Sequence, residues 1–261
     1  NINNFERLIN KKTKLIYLES PGTATFEIVD IPFITKIAKR KKIPTVLDNT
    51  WASPLYCDPI KLGINIIIDA GTKYINGHSD VLIGFVTSDK KYAKEIRITT
   101  KTLGICPGSE EVYLALRGIP TLNLRMKEIE KNALKMAEIL KTHKLVSEVY
   151  HPALPHTKNH KIWKRDFKGA SGLFAIEFED HINEEGVDAL ADSCKIFGIG
   201  ASWGGYSSLL STMNISENRN LKSSYVPSGQ YLRIYTGLEQ IQDLKNDLDL
   251  GFKKLKEIMQ S

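Results

Sequence analysis

Short continuous apolar runs and helical spacings follow one another along this chain. The runs at residues 15–18, 45–47, 64–68 and 81–86 lack polar alternation, which predicts strands covered on both faces. Between the first two, residues 30–42 set Phe33, Ile34, Ile37 and Ala38 at helical spacing, with Pro32 in the first turn. This is a β-α-β order and implies a parallel sheet. Its basic end, Lys39 to Lys42, matches the placement of cations favoured in the last turn of a helix rather than a nucleic-acid patch. From residue 121 to 143, Leu122, Met126, Ile129, Ala133, Met136, Ala137 and Leu140 recur over about six turns, which predicts a long helix linking two domains. Beyond it come a loop with His151, Pro152, Leu154 and Pro155, strand candidates at 172–179 and 231–235, and a final amphipathic helix at 244–259. That texture predicts a smaller α+β domain.

Composition narrows the class. The chain has 261 residues, 36 Lys+Arg against 30 Asp+Glu (net +6), 42% hydrophobic and 25% charged residues, which excludes disorder and collagen-like repeats. The length suits one large or two modest domains. So small an excess of positive charge over so long a chain gives no footprint for nucleic acid. Cys57, Cys106 and Cys194 are odd in number and far apart, so they form neither a disulfide framework nor paired zinc ligands, and they fit a reducing cytosol. No apolar run approaches the roughly 18 residues that cross a bilayer. The expectation is therefore a cytoplasmic protein with no membrane or nucleic-acid partner. The chain opens on Asn1 and reads as a piece of a longer protein.

The most informative stretch runs from Asp69 to Asp80. Lys73 directly follows a predicted strand, near the carboxyl end of the sheet, where open α/β sheets bind ligands. A desolvated lysine there can act as a nucleophile toward a carbonyl or as a general base, although a lysine after a strand is commonly a surface residue. Asp48 ends another predicted parallel strand at the same edge. A carboxylate there can hold the protonated ring nitrogen of a pyridine cofactor, whereas an Asp at a strand end is otherwise a cap or turn residue. Lys73 and Asp48 together favour the cofactor. His151, His156 and His160 have loose metal-like spacing, but no helix presents them and no carboxylate or cysteine completes a site, so no metal is expected. Gly204 and Gly205 lack the three-glycine dinucleotide spacing and read as a turn or a close backbone approach.

Several phrases, in order along nearly the whole chain, carry a resemblance. Leu18-Glu19-Ser20-Pro21-Gly22, Asp48-Asn49-Thr50-Trp51, Thr72-Lys73-Tyr74, Gly77-His78-Ser79-Asp80 and Arg117-Gly118 together resemble the Cys/Met-metabolism family of pyridoxal-phosphate enzymes. The phrases at 151–155, 163–167, 171–174, 202–206, 232–233 and 237–239 are similar to its bacterial cystathionine β-lyase branch. The resemblance implies an aspartate-aminotransferase-like α/β fold (fold type I), with residues 1–120 as the remainder of the cofactor-binding large domain and 121–261 as the linking helix and C-terminal small domain. It implies pyridoxal 5'-phosphate as cofactor, Lys73 as its covalent anchor and catalytic base, Asp48 on the ring nitrogen and Thr72 on the phosphate. It further implies Arg233 on the substrate α-carboxylate, and Ser202 and Trp203 beside the lysine and the substrate, with Ser202 a catalytic residue alongside Lys73.

The activity so implied is β-elimination of cystathionine to homocysteine, pyruvate and ammonia, in a homotetramer, with no nucleic-acid or membrane partner. Rival readings are a cystathionine γ-synthase or γ-lyase, an amino-acid racemase side activity, and a non-catalytic fragment. The resemblance also places earlier in the chain a phosphate-binding glycine loop, a ring-stacking tyrosine and a Tyr/Arg pair, and none of these is found upstream of Lys14. The expectation that follows is weak cofactor binding by these 261 residues alone.

Overall fold

A computed structural model describes residues 4–215 and 228–260. It divides into two compact units, one of Asn1–Thr23, Glu27–Leu122 and Lys158–Ala170, the other of Ala24–Phe26, Asn123–Thr157 and Ser171–Ser261.

In the first unit a one-turn helix α1 (Phe5–Leu8) precedes strand β1 (Ile16–Glu19). Helix α2 (Ile31–Lys41) begins where the Asp30 side chain accepts the Phe33 N–H and Pro32 occupies the first turn, and it stops at Lys42 in the left-handed region (φ 57°). Its buried Ile31, Ile34 and Ala38 pack with Ile16, Leu18, Leu47, Ile64 and Ile67. Strand β2 (Thr45–Asp48) leads through the single turn α3 (Ser53–Tyr56) to β3 (Ile66–Ala70), and both strands run parallel to β1.

The fourth strand, β4 (Gly84–Ser88), corrects two expectations. It starts later than the apolar run at 81–86 suggests, and it pairs antiparallel with β3. The chain between them folds as a compact loop that returns it to the edge it left, whereas a parallel partner needs a crossover. Nor are the strands covered on both faces among the described residues. Ile16 and Leu18 are buried, yet Tyr17 and Val86 are 55% and 52% exposed. Helices α4 (Lys90–Thr102) and α5 (Ser109–Gly118) follow β4.

The second unit takes nearly all of α6 (Leu122–Lys141), which buries Met126, Ile129, Ala133, Met136, Ala137 and Leu140 at the predicted spacing. After β5 (Val146–Tyr150), helix α7 (His160–Asp166) belongs to the first unit. There Arg165 reaches Asp30 at 2.8 Å, Phe167 bridges to Cys57, and the Trp51 and Phe167 rings meet edge to face. The chain then forms β6 (Leu173–Phe178), α8 (Glu184–Ser193), β7 (Gly198–Ile199), β8 (Leu209–Thr212), β9 (Tyr231–Tyr235) and α9 (Ile241–Met259). The strand order is β5-β6-β9-β8-β7, with β7 and β8 parallel and the other pairs antiparallel. Every residue of β6 is buried, as befits a strand near the centre of the core. Among the described residues no helix is long and apolar enough to cross a membrane.

Candidate active site

Strands β2 and β3 end side by side, and their ends set the site. Asp48 pairs with Ile68, the Asn49 N–H continues the ladder to the Ile68 carbonyl (2.8 Å), and the Ala70 N–H donates to Thr50 Oγ1 (2.8 Å). Asp48 Oδ1 accepts the Thr50 N–H at 2.9 Å. Its Oδ2 takes no hydrogen bond from the described residues, and the side chain is half-buried. One carboxylate oxygen is thus tied to the backbone and the other is left open at the carboxyl edge of the sheet, where such sheets bind ligands.

Lys73 lies at the same edge, three residues beyond the end of β3 rather than directly on it. The loop that carries it is knitted by its own backbone. The Lys73 N–H donates to the Ala70 carbonyl (2.9 Å), Asn76 to Gly71 (2.9 Å), and Gly77 to the Lys73 carbonyl (2.8 Å). Tyr74 and the Asn76 side chain are buried, and Asn76 Nδ2 donates to Asp80 Oδ1 at 2.7 Å. Two glycines permit this packing. A Cβ on Gly71 would stand 2.3 Å from the Phe85 ring, and one on Gly118 of α5 would stand 2.4 Å from the carbonyl oxygens of Ile75 and Asn76. The Thr72 hydroxyl bonds the backbone of Ile83, donating to its carbonyl (3.3 Å) and accepting its N–H (3.0 Å).

Arg233, Ser202 and Trp203 fall in the second unit. Arg233 lies on β9, flanked by Ala175 and Ser211, and its guanidinium donates to the Ala201 carbonyl at 2.6 Å. Two residues on, the Tyr235 hydroxyl donates to the Gly205 carbonyl at 2.6 Å. Alternate residues of one strand therefore hold both ends of the segment carrying exposed Ser202 and half-buried Trp203. Burial lowers the Arg233 pKa, against a raising influence from Tyr231.

The histidines have separate surroundings. His156 Nε2 lies 3.1 Å from Glu148, His151 is fully buried with its pKa lowered to about 4 by burial, and the His160 ring packs on Trp163. Among the described residues no group of three or more metal-ligating side chains occurs.

The profile of the family described as Cys/Met metabolism PLP-dependent enzyme matches residues 1–253. The chain belongs to this family. It is 40% identical over 251 residues to the L-alanine/L-glutamate racemase of Wolbachia pipientis wMel, covering 95% of this chain and 62% of that protein. It is 36% identical over 252 residues to the cystathionine β-lyase MetC of Escherichia coli K12, covering 95% of this chain and 64% of that protein. The crystal structure of metB from Corynebacterium glutamicum superposes with a TM-score of 0.90 at 32% identity, covering 98% of this chain and 66% of that one. The chain thus spans less than two thirds of the length of these curated relatives. Its fold is that of the fold type I enzymes.

The residues of the sheet edge fit the cofactor of a PLP-dependent family. Asp48 offers an open carboxylate oxygen suited to a protonated ring nitrogen, and Lys73 offers a primary amine at the same edge. Residue-by-residue reading missed Asn49 and Asp69, both buried beside Asp48, and Gly118, which seats the lysine loop. Gly118 falls in the Arg117-Gly118 phrase, but its packing role is not readable there, because the constraint comes from carbonyls more than forty residues away. Asp69 had one signal, a carboxylate standing in an apolar strand.

Proposed function

We propose that the protein catalyses β-elimination of cystathionine to homocysteine, pyruvate and ammonia, with pyridoxal phosphate held on Lys73. The supporting observation is that the backbone of Lys73, just beyond the end of β3, and the open Asp48 oxygen, at the end of β2, lie at one sheet edge. The cystathionine β-lyase of E. coli, matched over 95% of this chain, directs the choice of reaction.

Bound pyridoxal phosphate supplies an electron sink for the pair left when a substrate loses its Cα proton. Asp48 Oδ2 keeps the ring nitrogen protonated. Displaced from the cofactor by the substrate amine, the freed Lys73 amine would take the Cα proton, and its compact loop limits where that amine can reach. The Thr72 hydroxyl, which now donates to the Ile83 carbonyl, would help hold the phosphate by donating to it instead. Arg233 receives the substrate α-carboxylate in its planar fork of donors, while Ser202 and Trp203 contact substrate. Assembly as a homotetramer is part of the proposal, and sedimentation of the purified protein checks it.

A second reading is favoured by the 40% identity to a racemase. In it the proton taken by Lys73 is replaced on the opposite face of Cα and no bond to sulfur breaks. Incubation with cystathionine and with L-alanine separates the two. Pyruvate with homocysteine supports β-elimination, and 2-oxobutyrate with cysteine shows γ-elimination instead. Inversion of alanine with no keto acid from cystathionine shows racemisation.

A further inference from the structure

Three acidic residues are buried among the described residues, Asp69, Glu177 and Asp247; the side chain of Asp166 is buried as well and is paired with Arg165 at 2.7 Å. Two of the three have their carboxylate oxygens met by several donors. Asp247 accepts the backbone N–H groups of Lys195, Ile196 and Phe197 at 2.7 to 2.9 Å. Glu177 accepts those of Ser228 and Gly229 together with the Tyr150 hydroxyl. Asp69 accepts no backbone N–H, and its Oδ1 is buried without a hydrogen-bond partner. The neighbouring Asn49 has the same defect, an Oδ1 buried without a partner. The amide cannot be turned over to cure this, because its Nδ2 donates to the Ser53 carbonyl at 3.1 Å and reversal would set oxygen against oxygen. Two buried acceptors on neighbouring residues, each lacking a donor, are costly unless something supplies a proton.

We propose that Asp69 is a neutral carboxylic acid that pairs with the Asn49 side chain as a cyclic acid–amide pair, its O–H donated to Asn49 Oδ1 and an Asn49 N–H donated back, and that this pair positions Asp48. The placement supports it. Asn49 directly follows Asp48, its N–H is bonded to the Ile68 carbonyl and its own carbonyl accepts the Ser53 N–H at 3.0 Å. Locking the Asn49 side chain therefore locks the turn from which the open oxygen of Asp48 projects.

The electrostatics agree. Burial, the largest influence, and the charge of Asp48 push the Asp69 pKa up to about 6, against the Asn49 amide hydrogen bond, which lowers it. Cys57, in the segment after α3, also faces Asp69. Burial and the charges of Asp166, Asp58 and Asp69 push its thiol up to about 12, with Lys168 opposing, so it adds no charge near pH 6. A neutral Asp69 also leaves a single carboxylate charge at the edge.

This inference rests on the assignment of Asp48 to the cofactor, but its test needs no cofactor. Carbon-13 carboxyl resonances of the cofactor-free protein should show Asp69 titrating about two pH units above a free aspartate, with the Asp48 resonance shifting in the same step. In Asp69→Asn, which keeps the volume and an N–H donor toward Asn49, the Asp48 step near pH 6 should vanish and the fold should persist. An acid with a raised folded pKa makes the protein less stable as pH rises from the unfolded value, near 4, through 6, so the wild-type thermal midpoint should carry that loss and Asp69→Asn should lack it. Asp69→Leu, which removes the donor, should give a mobile Asp48 resonance; should it fail to fold, Asp69→Asn still decides.

An Asp69 carboxyl titrating near 4, or an Asp48 resonance indifferent to it, overturns the inference. Failure of the cofactor assignment would show separately, as an Asp48→Asn protein that binds and reacts like wild type.

Discussion

At the scale of single residues, Asp48 and Arg233 carry distinct loads. Asp48→Asn retains the volume and can still accept the Thr50 N–H, but its open atom can become an N–H donor, which cannot hold a proton on a ring nitrogen. Turnover should fall by about 10²- to 10³-fold, the usual loss when one well-placed electrostatic partner is removed. The thermal midpoint should stay near wild type. Equal loss of both would make Asp48 a structural turn residue. Arg233→Ala should act on KM, because a charge-assisted hydrogen bond is worth about 1.5–3 kcal/mol, or about 10- to 100-fold in affinity. An unchanged KM removes Arg233 from the carboxylate role. Both residues were legible in the sequence through their setting, one at a predicted strand end and one within a recognised phrase. The role proposed for Asp69 was not, because its only signal was a carboxylate in an apolar strand, and a carboxyl's protonation depends on what packs beside it, here Asn49 from the adjacent strand.

At the scale of elements, periodicity and capping located β1, β2, β6, β9, α2 and α6, since each is built from a burial pattern that its own residues display. Helix α4 escaped because it buries none of its residues, so no apolar face announces it. The direction of β4 escaped because it follows from the closed loop that bears Lys73, not from the strand's own composition. That loop is sensitive to size where no charge is involved. Gly118→Ala should destabilise the fold by about 1–3 kcal/mol, the usual range for overpacking against atoms that cannot yield, here two carbonyl oxygens. Denaturant midpoints measure it, and a neutral result would show that α5 can move off the lysine loop.

At the start of α2, burial would raise the Asp30 carboxyl, but Arg165 and the Phe33 N–H hold it below its ordinary value. A depressed acid stabilises above its unfolded pKa and stops doing so as pH falls through the folded one. Asp30→Ala should therefore cost about 1 kcal/mol near neutrality and little in strong acid, again by denaturant midpoint. This runs opposite to the trend expected of Asp69.

At the scale of the whole molecule, the parallel order of the first three strands and the α+β texture of the second unit are visible in the chain, whereas the strand directions of the second sheet are not. The return of residues 158–170 to the first unit was not, because it depends on contacts such as Arg165 with Asp30 that join residues 135 positions apart. The central claim is that one sheet edge of the first unit forms the anchoring site of a pyridoxal-phosphate enzyme, with Lys73 as the attached residue. Reduction of the protein with borohydride in the presence of pyridoxal phosphate, followed by peptide mapping, tests it most directly. The adduct should be found on Lys73 and be absent from Lys73→Ala. An adduct seated on another lysine, or spread evenly over the exposed ones, would contradict the assignment.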